Sequence, residues 1–107
     1  MVSFDDFKKV EIRIGKIVSA EEVIDSKKLL RLEVDLGEEN NRQIISGIAK
    51  FLSIDELVGR QVCVASNLEY RELAGLESQG MILAVGDGDS FSLIAPDKVV
   101  EPGTPVT

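Results

Sequence analysis

Histidine is missing from all 107 residues, and Cys63 is the only cysteine. Those two shortages remove the Ser-His and Cys-His pairs of nucleophilic catalysis and the common ligand sets for zinc, iron and copper. A single cysteine also rules out an internal disulfide framework. Cys63 lies in the apolar run Val62-Cys63-Val64-Ala65 with no cation beside it to stabilise a thiolate, so it reads as a small core residue. No apolar stretch approaches the roughly 20 residues that span a bilayer. The N-terminus, with Asp5 and Asp6 ahead of Lys8 and Lys9, lacks the basic start and apolar centre of a secretory signal. The expectation is a cytoplasmic chain without membrane contact. Aromatic residues are also scarce: Phe4, Phe7, Phe51, Tyr70 and Phe91 are all there are.

Other catalytic arrangements are missing too. No glycine-rich segment ends in the Lys-Ser or Lys-Thr of a phosphate-binding loop ahead of a helix. The acid pairs Glu21-Glu22, Glu38-Glu39 and Asp55-Glu56 are adjacent residues, which point to opposite faces of a strand or sit solvated in turns. Asp87-Gly88-Asp89 lacks the twelve-residue loop and terminal glutamate of a calcium site, and reads as a hairpin turn. A non-enzyme without cofactor or metal is expected.

What the chain has is the composition of a folded domain: 44% apolar and 29% charged residues. Residues 1–107 read as one domain. The net charge of −7 is uneven. Residues 8–50 carry nine Lys/Arg against eight Asp/Glu, whereas residues 51–107 carry three against nine. A basic face in the first half is compatible with the acidic total, and so is ordinary solvated surface on both halves.

Hydrophobic periodicity predicts strands. Val10, Ile12 and Ile14 alternate with Glu11 and Arg13, and the parity then shifts between Gly15 and Ile17, which suggests a bulge at the glycine. Leu30, Leu32, Val34 and Leu36 form a second alternating run, with Arg31, Glu33 and Asp35 facing the other way. Gln43–Ile48, Gln61–Ser66 and Met81–Val85 supply the third, fourth and fifth strands, with a short extra strand around Phe91, Leu93 and Ile94. The one helix signal is the capping box Ser53-Ile54-Asp55-Glu56, with Leu52 and Leu57 as its hydrophobic staple and Gly59 as its stop. Five strands with a helix between the third and fourth give an all-β chain in the order of the OB-fold, a partly open Greek-key barrel. In that architecture ligands lie across strands two and three, flanked here by the loops Ser19–Lys27 and Asn67–Ser78. The tail Pro96–Thr107 holds all three prolines and reads as irregular or a sheet edge.

The segment Asn67–Met81 is the most specific signal. Asn67, Leu68, Leu73, Gly75, Ser78, Gly80 and Met81 resemble the signature of the small tRNA-binding domain found in stand-alone tRNA-binding proteins, at the C-terminus of many methionyl-tRNA synthetases and in the endothelial monocyte-activating polypeptide. The likeness continues through Arg42-Gln43-Ile44-Ile45-Ser46-Gly47-Ile48-Ala49-Lys50 and Asp55–Gly59, covering nearly the whole chain. It implies a non-catalytic homodimer that binds tRNA, alone or as an accessory module or subunit of methionyl-tRNA synthetase. End segments of relatives build the dimer, which points to Val2, Phe4, Phe7, Val99 and Val100. The turn Val23–Leu29 departs from the family pattern in having neither histidine nor proline.

Candidate RNA contacts are Lys27, Lys28 and Arg31 at the entry to the second strand, Arg42 and Lys50 on and after the third, and Asn67, Arg71, Ser78 and Met81 in the signature segment. A phosphate-seeking arginine at position 71, a hydroxyl at 78 and a soft apolar surface at 81 suit RNA. The same residues also have structural readings: Asn67 as a turn cap, Gly75 and Gly80 for backbone freedom, Met81 as filler for the barrel end. Tyr70 alone is placed to stack a base, so a reader of folded RNA shape and backbone fits better than a single-strand coater. A protein-interaction or chaperone-like module is the alternative, since an acidic barrel of this kind need not bind RNA.

Overall fold

The structure is a computed structural model that describes residues 1–107. In chain order its elements are α1 (Phe4–Phe7), β1 (Ile12–Glu22), β2 (Leu30–Asp35), β3 (Arg42–Ser46), α2 (Ile54–Leu57), β4 (Gln61–Ala65), β5 (Arg71–Leu73), β6 (Leu76–Ser78), β7 (Met81–Ile82), β8 (Ala84–Val85) and β9 (Ser92–Leu93). β3, β2, β1, β4 and β7 lie side by side in that order, all neighbours antiparallel. This is the OB-fold barrel that the strand order implied.

β1 serves both halves of the barrel. Its first part pairs with β4 (Ile12 opposite Ala65, Lys16 opposite Gln61) and its second part with β2 (Lys16 opposite Asp35, Glu22 opposite Leu30). The bulge that lets it bend lies at Val18, between Ile17 and Ser19, and not at Gly15 as the parity shift suggested. Gly15 is in register with Val62. It is glycine for want of room: a Cβ there would stand 2.6 Å from Val34 Cγ1 and 3.1 Å from Leu36 Cδ2. β1 also runs on through Glu22, so the first loop is shorter than the Ser19–Lys27 read from sequence.

The alternation of β2 is realised residue by residue, with Leu30, Leu32 and Val34 buried and Arg31 and Glu33 exposed. Those three join Ile17, Leu36, Ile44, Ile48, Val62, Val64, Ile82 and Leu93 in one core, which Leu57 of α2 closes from below. α2 starts as its sequence predicted. Ser53 Oγ accepts from Glu56 N at 3.2 Å, and Glu56 Oε1 accepts from Ser53 N at 3.0 Å. The box aims fully buried Leu57 into the barrel. Truncation of such a side chain to alanine costs about 2–5 kcal/mol.

Three features differ from the sequence reading. A second short helix, α1, forms because Ser3 Oγ accepts from Asp6 N at 3.1 Å, with Asp5 and Asp6 favourably placed in the first turn. The fifth strand is split into β7 and β8, and β8 pairs with β9 around the Asp87–Ser90 turn. Inside the presumed Asn67–Ser78 loop, β5 and β6 make a hairpin of their own. The tail does find a sheet edge: Ile14 N donates to Thr104 O at 2.9 Å and Val106 N to Ile12 O at 2.8 Å, covering the edge of β1 that β4 leaves open. No helix is long and apolar enough to cross a membrane. Cys63 is buried, and burial pushes its thiol above the ordinary range, as a core residue requires.

Candidate functional site

The outer face of β3 carries the hairpin. Ile44 points into the core, so its neighbour Ile45 points outward, yet it too is buried, because β5 and β6 fold over it. Ile45, Leu68, Leu73 and Met81 line a small cavity of about 60 Å³ under that cover, together with Arg71 and Ser78. The hairpin turns at Ala74 (φ 51°) and Gly75 (φ 77°), both left-handed, as the two-residue turn that matches strand twist requires. Glycine meets this demand freely, and alanine does not.

Side chains then lock the hairpin to β3. Ser78 Oγ accepts from Ile45 N at 3.0 Å and donates to Gly80 O at 3.1 Å. Gln43 and Gln79 face each other: Gln79 N donates to Gln43 O at 2.8 Å, Gln43 N to Gln79 Oε1 at 3.1 Å, and Gln43 Nε2 to Glu77 O at 2.8 Å. These bonds, and not a strand ladder, close the barrel between β3 and β7. Gln43 and Gln79 were not among the residues that the sequence singled out. Only the outward parity of Gln43 hinted at it.

At the neck of the segment stands Arg42, largely buried. Its Nη1 donates to the carbonyls of Ser66 and Gln79, and its Nε and Nη2 each donate at 2.8 Å to the two oxygens of Glu38. Glu38 also accepts from Arg13 Nη2 at 3.2 Å. The hydrogen bond from Arg42 holds the Glu38 carboxyl below its usual range despite partial desolvation, with Arg13 helping, and Glu38 in turn raises Arg42. Asn67 is equally committed: its Oδ1 accepts from Glu11 N and its Nδ2 donates to Lys9 O, both at 2.7 Å, so it stitches the N-terminal segment to the end of β4. The structural role is therefore a tie between segments and not the turn cap read from the sequence.

The remaining candidates fall into three groups. Lys27, Lys28 and Lys50 are exposed and without ion pairs at one end of the barrel, where Ala49 N donates to Lys28 O at 3.0 Å. Arg31 stands midway, paired with Glu21 and donating to Gln43 Oε1 at 3.3 Å. It lines an open polar groove of about 400 Å³ with Ser19, Glu33, Asn41, Gln43 and Gln79. Arg71 and Met81 lie on the hairpin and beside it, both exposed, with Tyr70 half-exposed next to Arg71 and no ion pair on Arg71. Ser78, by contrast, is buried.

A five-stranded barrel whose second and third strands present a polar groove, flanked by free cations and a docked hairpin, defines an OB-fold ligand-binding domain. Residues 12–105 match the family described as "Putative tRNA binding domain", and the chain belongs to that family. It is 54% identical over 106 residues to a methionine–tRNA ligase of Methanoregula boonei, a match covering 99% of this chain and 16% of that protein. The chain thus spans about a sixth of the length of the ligases it matches. Among solved structures, a methionyl-tRNA synthetase-related protein of Pyrococcus horikoshii superposes with a TM-score of 0.90 at 32% identity, over 100% of this chain and 98% of that one. The chaperone CsaA of Bacillus anthracis does so with a TM-score of 0.88 at 30% identity, over 100% and 99%.

Proposed function

We propose that this domain binds tRNA without catalysing a reaction, reading the shape and backbone of the folded RNA across β2, β3 and the β5–β6 hairpin. One observation carries the reading. The segment that bears the family signature is hydrogen-bonded to the outer face of β3, with Tyr70, Arg71 and Met81 left exposed and Arg71 without an ion pair. Lys27, Lys28, Lys50 and Arg71 are the phosphate contacts, Arg31 in the groove joins them once it exchanges Glu21 for phosphate, and Met81 packs on ribose or base. Asn67, Ser78 and Arg42 serve by holding the surface in shape. Four free cations and a net charge of −7 suit a modest, shape-directed affinity.

The chain is one domain and works in the cytoplasm as a homodimer, alone or supporting a methionyl-tRNA synthetase. The dimer rests on an apolar groove of about 450 Å³ built by Phe4, Phe7, Val10, Ile12, Pro105 and Val106. Phe4 and Phe7 are 73% and 58% exposed, an apolar patch that a second copy would remove from water. The likeness to CsaA favours a second reading, in which the same face takes a protein segment. Titrating labelled total tRNA and an unstructured RNA of equal length at two salt concentrations tests the first. Tight, salt-sensitive preference for tRNA upholds it, and absence of binding at low salt transfers the case to protein partners.

A further inference from the structure

We propose that Arg42 and Glu38 form a clasp that sets the position of the β5–β6 hairpin for tRNA, so that Arg42 acts as a positioning residue and not as a phosphate contact. The inference rests on the tRNA-binding reading above. Ser66 is the last residue before the signature segment and Gln79 the first after β6, and a single guanidinium nitrogen bonds both their carbonyls. The chain entering and the chain leaving the β5–β6 hairpin are thereby fastened to one point on β3. The other edge of the fork is filled by Glu38, whose two oxygens each accept one of its bonds.

A guanidinium has five N–H donors. Four of those on Arg42 are spent on Ser66, Gln79 and Glu38, and the side chain is 14% exposed. One N–H is left over and the charge is already paired with Glu38, so it lacks the free fork that would meet a phosphate bidentately. Glu38 is the keystone on the other side, since it also accepts from Arg13, whose Nε donates to Ser66 Oγ at 3.2 Å. Two arginines therefore reach Ser66 with their orientation set by one carboxylate. A lysine at position 42 would keep the charge but has no planar fork with which to span two carbonyls and a carboxylate. The hairpin keeps its own ties to β3 through Ser78 and the Gln43–Gln79 pair, so loosening the clasp shifts Arg71, Tyr70 and Met81 without detaching them.

The test compares the full chain with E38Q and R42K, reading tRNA dissociation constants over a salt series and, without RNA, amide hydrogen exchange in residues 67–79. Thermal midpoints confirm folding. The clasp predicts that both variants bind tRNA about five- to twenty-fold more weakly with an unchanged salt slope, because no phosphate contact is lost. Exchange across the hairpin should quicken in both. E38Q is the sharper arm, since it makes the chain less acidic and would release Arg42 for phosphate if Arg42 were a contact. Tighter binding by E38Q with a steeper slope overturns the proposal, as does wild-type affinity and exchange in either variant. Absence of tRNA binding by the wild type defeats the functional reading instead, and the exchange rates then still report on whether the clasp holds the hairpin.

Discussion

The amide of Ala49 donates to the carbonyl of Lys28 at 3.0 Å, joining the chain that leaves β3 to the loop that enters β2. That bond brings Lys50, distant in sequence, to the same end of the barrel as the neighbours Lys27 and Lys28, with nothing acidic paired to any of them. Lys28→Ala with Lys50→Ala should therefore lower the log–log salt slope of tRNA binding by about 1.4–1.8, each lost phosphate contact counting roughly 0.7–0.9. Stability should stay within about 0.5 kcal/mol, as for other exposed substitutions. An unaltered slope would remove this end of the barrel from the interface.

Ser78 and Met81 should behave oppositely. Ser78→Ala deprives the buried Ile45 amide of its acceptor and Gly80 O of its donor, so it should cost about 1–3 kcal/mol in urea unfolding. Met81→Ala, at an exposed position, should leave stability nearly unchanged while weakening tRNA binding. Equal stability losses in the two would show that Met81 is packing and not a contact surface.

Ala74 holds a left-handed conformation that costs an L-residue about 1–2 kcal/mol. Ala74→Gly or Ala74→Asn should raise stability by up to about 1 kcal/mol, with the asparagine giving the turn its favoured Asn-Gly pair. A lower unfolding midpoint in both would contradict the turn assignment.

Gly15→Ala should be severe for so small a change. Its methyl would lie 2.6 Å from Val34 Cγ1 within packed barrel walls, and overpacking of this kind costs about 1–3 kcal/mol. A companion Val34→Ala should recover part of the loss, which a double-mutant cycle would detect as coupling.

Acid should loosen the clasp only below the ordinary carboxylate range. The Glu38 carboxyl is held below its unfolded value, chiefly by its bond from Arg42, so its contribution is complete above the unfolded pKa and is lost as pH falls through the folded one. In E38Q that part of the acid limb should be missing, and the stability–pH curves of the two proteins should converge at low pH. Parallel curves throughout would mean that Glu38 titrates alike folded and unfolded.

The barrel was legible where one residue's environment depends on its near neighbours. The parity of Leu30, Leu32 and Val34, and the spacing of Ser53 and Glu56, are local facts with local causes. The hairpin within 67–78 escaped notice because its strands are three residues each and its turn carries alanine where asparagine or glycine would have announced it. Gly15 drew the bulge to itself, although the extra residue is Val18. The roles of Arg42 and Asn67 were beyond reach for another reason: their partners Ser66, Gln79 and Lys9 are remote in sequence, and a family resemblance marks such positions without saying whether they touch ligand or protein. The same holds for Ser78, whose hydroxyl looked available and is spent.

The seam between β3 and β7 is fastened by glutamines, a serine and an arginine, and those fasteners are also the roots of the hairpin. Whatever settles on the hairpin is therefore pressing on the closure of the barrel itself. A ligand that grips both sides acts as a brace for the entire fold, measurable as a higher melting temperature long before any contact is mapped.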